Sequence, residues 1–450
     1  METASRARTA RTYAPGAAVA IGLLLIAGYV LTLLLLMEHE SFDTWGALLL
    51  LPVLLLVTVP ALLRQAEREG DPTVFRVLLL ALFIKLGGAL ARYFLAYALY
   101  GGTADATQYH KWGVELSSRF WSGDFRTGLE SLSETDFIRF ITGVVYSVIG
   151  PSKLAGFLFF SWMGFLGLFF FYRAFVLAVP GGRRRSYAYL LFFLPSLVFW
   201  PSSIGKEAWM MLGIGLTCFG IARMLRGEIG AAVFPMLLGL WATGVVRPHI
   251  AGMLGLAVVA AVLLRRPSPG LRQLAPAVKV ASLVVVAVLA AFLVVRTDRF
   301  LQRAGIETTG GVGSTLEGVS ERTSGGGSEF APSIVNSPAR APIALATVLY
   351  RPFLFEAHNT QALWAAIEAT VLMAITALRW RSIVAAVRGM RRTPYLAFAL
   401  AYIGMFIVGY SSISNFGLLA RQRVQLYPLF LVLLCLTPSD VREPADAHGT

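Results

Sequence analysis

The sequence predicts an all-α, polytopic membrane protein of about twelve transmembrane helices, with both termini cytoplasmic and amphipathic helices on the outer face. Three observations carry that prediction. The chain is 56% hydrophobic and only 14% charged over 450 residues. Its apolar windows are long enough to cross a hydrocarbon core of about 30 Å. Its arginines cluster in every second connection between those windows. Helices are expected because a backbone in lipid must satisfy its polar groups within its own segment.

In chain order the windows run 17–37, 46–63, 77–100, 155–178, 186–200, 207–224, 229–245, 250–264, 276–295, 361–379, 393–410 and 424–437. A basic tail, 1–16, precedes the first. The apolar stretch behind it is long and lacks a small-residue cleavage site, so a retained helix is expected. Residues 17–437 then form the transmembrane domain and 438–450 a second cytoplasmic tail, with the larger outer loops at 101–154 and 296–360. Inside the first loop, 108–122 and 134–148 mix Tyr109, Trp112, Leu116, Phe120 and Trp121, then Phe137, Ile138, Phe140, Ile141 and Val144, with polar residues. That pattern suits helices lying along a membrane surface. The second loop holds "TTGGVGSTLEGVSERTSGGGSEFAPSIVNSPARAP". Its middle is expected to be a flexible linker, with a lid over a substrate as the alternative.

Orientation follows from arginine. The side carrying Arg6, Arg8, Arg11, Arg64, Arg68, Arg76, Arg173, Arg183, Arg223, Arg265, Arg379, Arg391 and Arg442 holds 21 basic residues against 8 acidic ones, whereas the other holds 15 against 16. The first side is cytoplasmic by the positive-inside rule. The net charge of +14 is therefore a topology signal and requires no nucleic-acid partner. Arginine outnumbers lysine 34 to 5, as in GC-rich bacterial genomes, so a bacterial cytoplasmic membrane is the expected location. Cys218 and Cys435 both lie in apolar windows, which argues against a disulfide framework or a thiolate metal site.

With that orientation the chemically interesting residues gather outside. "GGTADATQYHKWG" carries Asp105, Tyr109 and His110, and "WPSSIGKEAW" carries Lys206 and Glu207. "VVRPHIAG" carries Arg247 and His249, "LYRPFLFEAHN" carries Arg351 and Glu356, and "YSSISNFGLLARQRVQLYP" carries Asn415, Arg421 and Arg423. Pro201 ends one helix, and Ser202 and Ser203 are placed to cap the next, with Glu207 at its positive end. Lys206 is unfavourable at a helix N-terminus unless an anion, a phosphate or a carboxylate, lies beside it. Deeper in the membrane, Arg92 and Glu368 sit roughly 12 and 10 Å below the outer surface at 1.5 Å per residue. An unpaired charge there costs roughly 2.5 to 3.5 kcal/mol, so the two are expected to pair.

The Asp105-Ala-x-x-Tyr109-His110 motif in the first sizeable outer loop resembles the acidic first-loop motif of GT-C-type integral membrane glycosyltransferases. The general layout is also similar to O-antigen polymerase-type proteins. The resemblance implies a polyprenyl-phosphate-linked sugar donor, a glycan, lipid or protein acceptor, and inverting transfer outside the cytoplasm. It makes Asp105 the base or acceptor-orienting carboxylate, a role that needs a hydrogen-bond acceptor for the nucleophile's proton. A capping Asp in a Gly-Thr turn is the alternative. The family's second acidic motif is not evident unless Glu207 or Glu356 replaces it. Tyr109, His110, His249 and Asn415 become candidates for sugar hydroxyls. Arg247, Arg351, Arg421 and Arg423, with Lys206, become candidates for the phosphate, which bidentate guanidinium contacts suit. A divalent cation, Mg or Mn, is a possible cofactor, although no spacing matches HExxH. The other readings are a glycan polymerase or ligase, and a lipid-linked glycan flippase or transporter, which would need polar residues through the depth of several helices.

Overall fold

A computed structural model describes residues 15–264, 311–324, 329–335 and 337–437, and among these the chain is helical with no named strand. The elements are α1 (Pro15–His39), α2 (Phe42–Glu69), α3 (Pro72–Phe94), α4 (Asp105–Trp121), α5 (Glu134–Ile149), α6 (Lys153–Ala178), α7 (Arg184–Phe193), α8 (Pro195–Phe199) and α9 (Lys206–Leu225). They continue with α10 (Ile229–Val246), α11 (Pro248–Leu264), α12 (Gly311–Thr323), α13 (Ala341–Tyr350), α14 (Thr360–Leu378), α15 (Trp380–Gly389), α16 (Pro394–Tyr410), α17 (Phe416–Gln422) and α18 (Tyr427–Leu434).

Seven of the described helices are long and apolar enough to cross a membrane, and α15 with α16, bent by 113°, form an eighth candidate. The difference from twelve has identifiable causes. The expected span 186–200 is two helices, because Pro195 cannot continue α7 and instead opens α8. The span 424–437 is shortened by the 3-10 turn Arg423–Gln425 and the proline that opens α18. The apolar α11 has 17 residues, and the window 276–295 lies outside the described residues. Both expected amphipathic segments form helices, α4 and α5, which pack face to face where Gly113 meets Thr142 and Gly143 meets Leu116. The loop expected to be a linker is more ordered than that over Gly311–Thr323. That stretch is helical and tied down by Thr323 and the Ser320 carbonyl against Ser414.

The core sits along α6 and α9. An added Cβ at Gly215 would lie 2.3 Å from the Gly167 carbonyl oxygen, and one at Gly167 would lie 2.3 Å from that of Met211. The two backbones touch there, the small-residue contact by which helices associate in lipid. α10 closes on the other side of α9 through Gly239, where an added Cβ would meet the amide of Thr217. These contacts hold the N-terminal end of α9, with Lys206 and Glu207, in a fixed place.

Candidate functional site

The break between α8 and α9 is the element that builds the site. The five-residue α8 is held at both ends by charges from other helices. At its start the Ser196 amide donates to Glu368 Oε2 of α14 at 2.6 Å. At its end Lys85 Nζ of α3 donates to the carbonyls of Leu197 and Val198, at 2.7 and 3.1 Å. A carboxylate at a helix start and an ammonium at its end complement the helix dipole. Two turns along α3 from Lys85, Arg92 donates to Ser203 Oγ at 3.3 Å and lies over Phe199 and Trp200 at 4.8 and 5.2 Å.

Two expectations are corrected here. Arg92 and Glu368 do not pair; both grip the 196–203 segment, which lies between them, and the cation that bears on Glu368 is Arg423. Nor do the serines cap α9. Ser202 donates back to the Val198 carbonyl and accepts from Ser161, Ser203 accepts from Arg92, and the position before the helix is Gly205. The serines come too early in the chain to reach the first amides of α9.

Glu207 enters α9 at its second residue, and its carboxylate is the hub of the site. Arg421 of α17 contacts it twice, Nη2 to Oε2 at 2.9 Å and Nε to Oε1 at 2.8 Å. Arg247, at the turn between α10 and α11, donates to Oε1 at 3.1 Å and also to Gln422 Oε1. The Glu207 side chain is 4% exposed and that of Arg247 11%, so this is a buried ion triad. Arg421 reaches out with Nη1 to Asp105 Oδ2 at 2.9 Å, and the Asp105 side chain is 65% exposed. Glu207 and Asp105 together hold the Arg421 proton more tightly than in an ordinary arginine.

Around this core stand Tyr109, Lys206 and Arg92. Tyr109 is buried beside Gly205 and Glu207, and desolvation followed by the two carboxylates pushes its hydroxyl up to about 12. Half-buried Lys206 makes no hydrogen bond or ion pair among the described residues, although Glu207, Glu134, Arg247 and Arg421 all bear on it. Arg92 faces the same field, with Arg421, Glu207 and Asp105 among its charged neighbours.

The structure thus brings together Asp105, Tyr109, Lys206, Glu207, Arg247 and Arg421. It places the other expected residues elsewhere. His110 turns away, its Nδ1 2.8 Å from the Tyr146 hydroxyl, and burial pushes its imidazole down to about 4. His249 lies 3.2 Å from the Tyr410 hydroxyl through Nε2. Arg351 and Glu356 form their own pair, with Nε 3.0 Å from Oε1, stacked by Phe330 at 4.3 Å and Phe416 at 5.3 Å. Burial pushes the Glu356 carboxyl up, but Arg351 and the Phe353 amide outweigh it and leave the group below its ordinary range. Asn415 caps α17 by accepting from the Leu418 amide at 3.0 Å. Arg423 is fully buried and bonds the carbonyl of Arg351 at 2.5 Å.

Three contributors had partners that the sequence did not signal. Gln422 looks like a spacer between two arginines, yet it bridges Arg247 and Gln425. Ser196 and Ser203 act only through partners 172 and 111 residues distant. Among the described residues no group of three His, Cys, Asp or Glu side chains is placed to hold a metal ion. The arrangement can hold an oxyanion on Arg421, Arg247 and Lys206 while presenting one accessible carboxylate, Asp105. No protein-family model, no curated protein and no solved structure matches this chain.

Proposed function

We propose that the chain is an integral membrane glycosyltransferase that moves a sugar from a polyprenyl-phosphate-linked donor to a glycan, lipid or protein acceptor at the outer face of a bacterial cytoplasmic membrane. The observation that carries this reading is Arg421 shared between exposed Asp105 and buried Glu207, with Arg247 alongside and Lys206, which has no ion pair among the described residues. A phosphate leaving group needs preorganised cations in a half-dry site. The nucleophile needs an accessible carboxylate. Glu207, buried between two arginines, serves as their fixed counter-ion. Asp105 is held by one exposed contact, the weak kind, so an incoming phosphate competes for Arg421 and releases Asp105. Asp105 then accepts the acceptor's proton as its oxygen bonds to the anomeric carbon and the carrier phosphate departs on the opposite side.

The accompanying topology has about twelve spans with both termini cytoplasmic, which puts the α3–α4, α8–α9, α10–α11 and α16–α17 connections outside. A second reading, a polymerase or ligase joining glycan blocks, is favoured by the dominance of arginine at the hub and by Asp105 lying at its edge. A flippase or transporter is less suited, since Lys85 and Glu368 bond to backbone and do not line a path.

Transfer from a radiolabelled polyprenyl-phosphate sugar by the purified protein tests the proposal. Wild type should transfer, Asp105→Asn should lose roughly a hundredfold or more, and Arg421→Gln should be inactive. Full activity in Asp105→Asn with loss in Arg421→Gln selects the block-joining reading, and absence of transfer from any lipid-linked sugar overturns both.

A further inference from the structure

The opposite end of the bundle carries arginines that the proposed chemistry does not use. Glu207 and Arg223 stand sixteen residues apart on α9, about 24 Å along its axis. Three arginines at the Arg223 end have counter-ions among the described residues. Arg184 lies 3.8 Å from Glu69, Arg185 is 2.9 Å from Asp71, and Arg223 Nε is 3.3 Å from Glu228. Arg173 of α6 and exposed Arg68 of α2 differ: neither makes a hydrogen bond or ion pair among the described residues.

Arg173 is instead held by aromatic faces. Its guanidinium carbon is 4.3 Å from the centroid of Phe219 and 5.8 Å from that of Phe169. The guanidinium of Arg223 sits on the same Phe219 ring at 5.1 Å. Arg68 adjoins Glu69, which accepts from the hydroxyl of Tyr172, the residue before Arg173, at 2.9 Å, and the charges that bear on Arg173 are Arg68 and Arg223, both of its own sign. Like charges gathered on one ring repel, and cation–π attraction offsets only part of that in a partly buried place. Stacking leaves the N–H edges of Arg173 free to donate, while Arg223 is engaged on one side by Glu228 and by the Ala231 carbonyl, to which Nη1 donates at 3.2 Å. Planar donors that share one aromatic ring, without a carboxylate on Arg173 among the described residues, match an oxyanion with several oxygens.

We propose that Arg68, Arg173 and Arg223 form a binding site for a phosphate-bearing anion at the end of the bundle opposite the Asp105–Glu207 cluster, with Phe219 as the platform that orients two of the three guanidinium groups. The anion is the phosphodiester of an anionic lipid headgroup or a free phosphate, and Arg173, near the end of a membrane-spanning helix, sits where either could reach it.

The test is native mass spectrometry and thermal unfolding of the delipidated full chain with phosphatidylglycerol, phosphatidylcholine or inorganic phosphate added. Wild type should retain and be stabilised by phosphatidylglycerol over phosphatidylcholine. Arg173→Gln and Arg68→Gln should each bind it about tenfold more weakly, and Arg185→Gln should behave as wild type. Stabilisation by inorganic phosphate alone, lost in the same two variants, assigns the site to a soluble phosphate and still supports it. Arg68 is exposed, so its variant keeps the fold and decides the matter if Arg173→Gln aggregates. Equal behaviour of wild type and Arg68→Gln with both anionic probes overturns the site.

Discussion

Arg421 and Glu207 meet as a two-point ion pair across 214 residues of sequence, with Nη2 2.9 Å from Oε2 and Nε 2.8 Å from Oε1. The glutamate comes from the start of a core helix and the arginine from a short helix laid over it. Their contact fixes where the third nitrogen of Arg421 points, which is at Asp105.

Arg421→Met should therefore destabilise the protein. Breaking a buried ion pair costs about 3 to 5 kcal/mol because the remaining charge is stranded. Arg247 still partners Glu207 and Arg421 is a quarter exposed, so about 2 kcal/mol is expected. Equilibrium unfolding in detergent measures it. A variant as stable as wild type would mean that Glu207 does not need its second arginine.

Asp105→Asn separates chemistry from stability. Its side chain is 65% exposed, so the change should shift stability by no more than roughly 0.5 kcal/mol. The same variant should transfer sugar roughly a hundredfold more slowly. A large loss of stability would reassign Asp105 to a structural role.

His110 supplies a pH dependence. Burial holds its folded-state value at about 4 against an ordinary 6.5. Between those values the unfolded chain binds a proton that the native chain refuses, so stability falls as pH drops from 6.5 towards 4 and rises in the reverse direction. His110→Gln should flatten that part of the melting-temperature profile while keeping a hydrogen-bonding group near Tyr146. Parallel profiles for the two proteins would place the acid sensitivity elsewhere.

The clamp on α8 is open to a similar test. Lys85 is 1% exposed and donates to two carbonyls, and Ser202 still reaches that of Val198, so Lys85→Met should cost about 2 kcal/mol by leaving the Leu197 carbonyl without its donor. The double exchange Arg92→Glu with Glu368→Arg should fail to recover what either single change loses, since each residue answers to the 196–203 backbone and side chains. Recovery of the melting temperature in the exchange would restore the direct pair.

Hydropathy was sufficient to predict an all-helical chain with several helices long and apolar enough to cross a membrane, most helix positions to within a few residues, and the amphipathic pair α4 and α5. Those features are local: each depends on a window's own apolar content or its 3.6-residue period. Proline was visible as well, yet only the fold revealed that Pro195 turns one expected span into α7 and a short α8. The residue types of the candidate site could also be listed from the sequence, but not their partners. Asp105 finds Arg421 at a separation of 316 residues, and Glu368 finds a backbone amide where an arginine was expected. Partner choice of this kind depends on which helix faces touch. Close approaches such as Gly167 to Gly215 set those faces, and a buried charge then takes the nearest group that can satisfy it, including main chain exposed at a helix break.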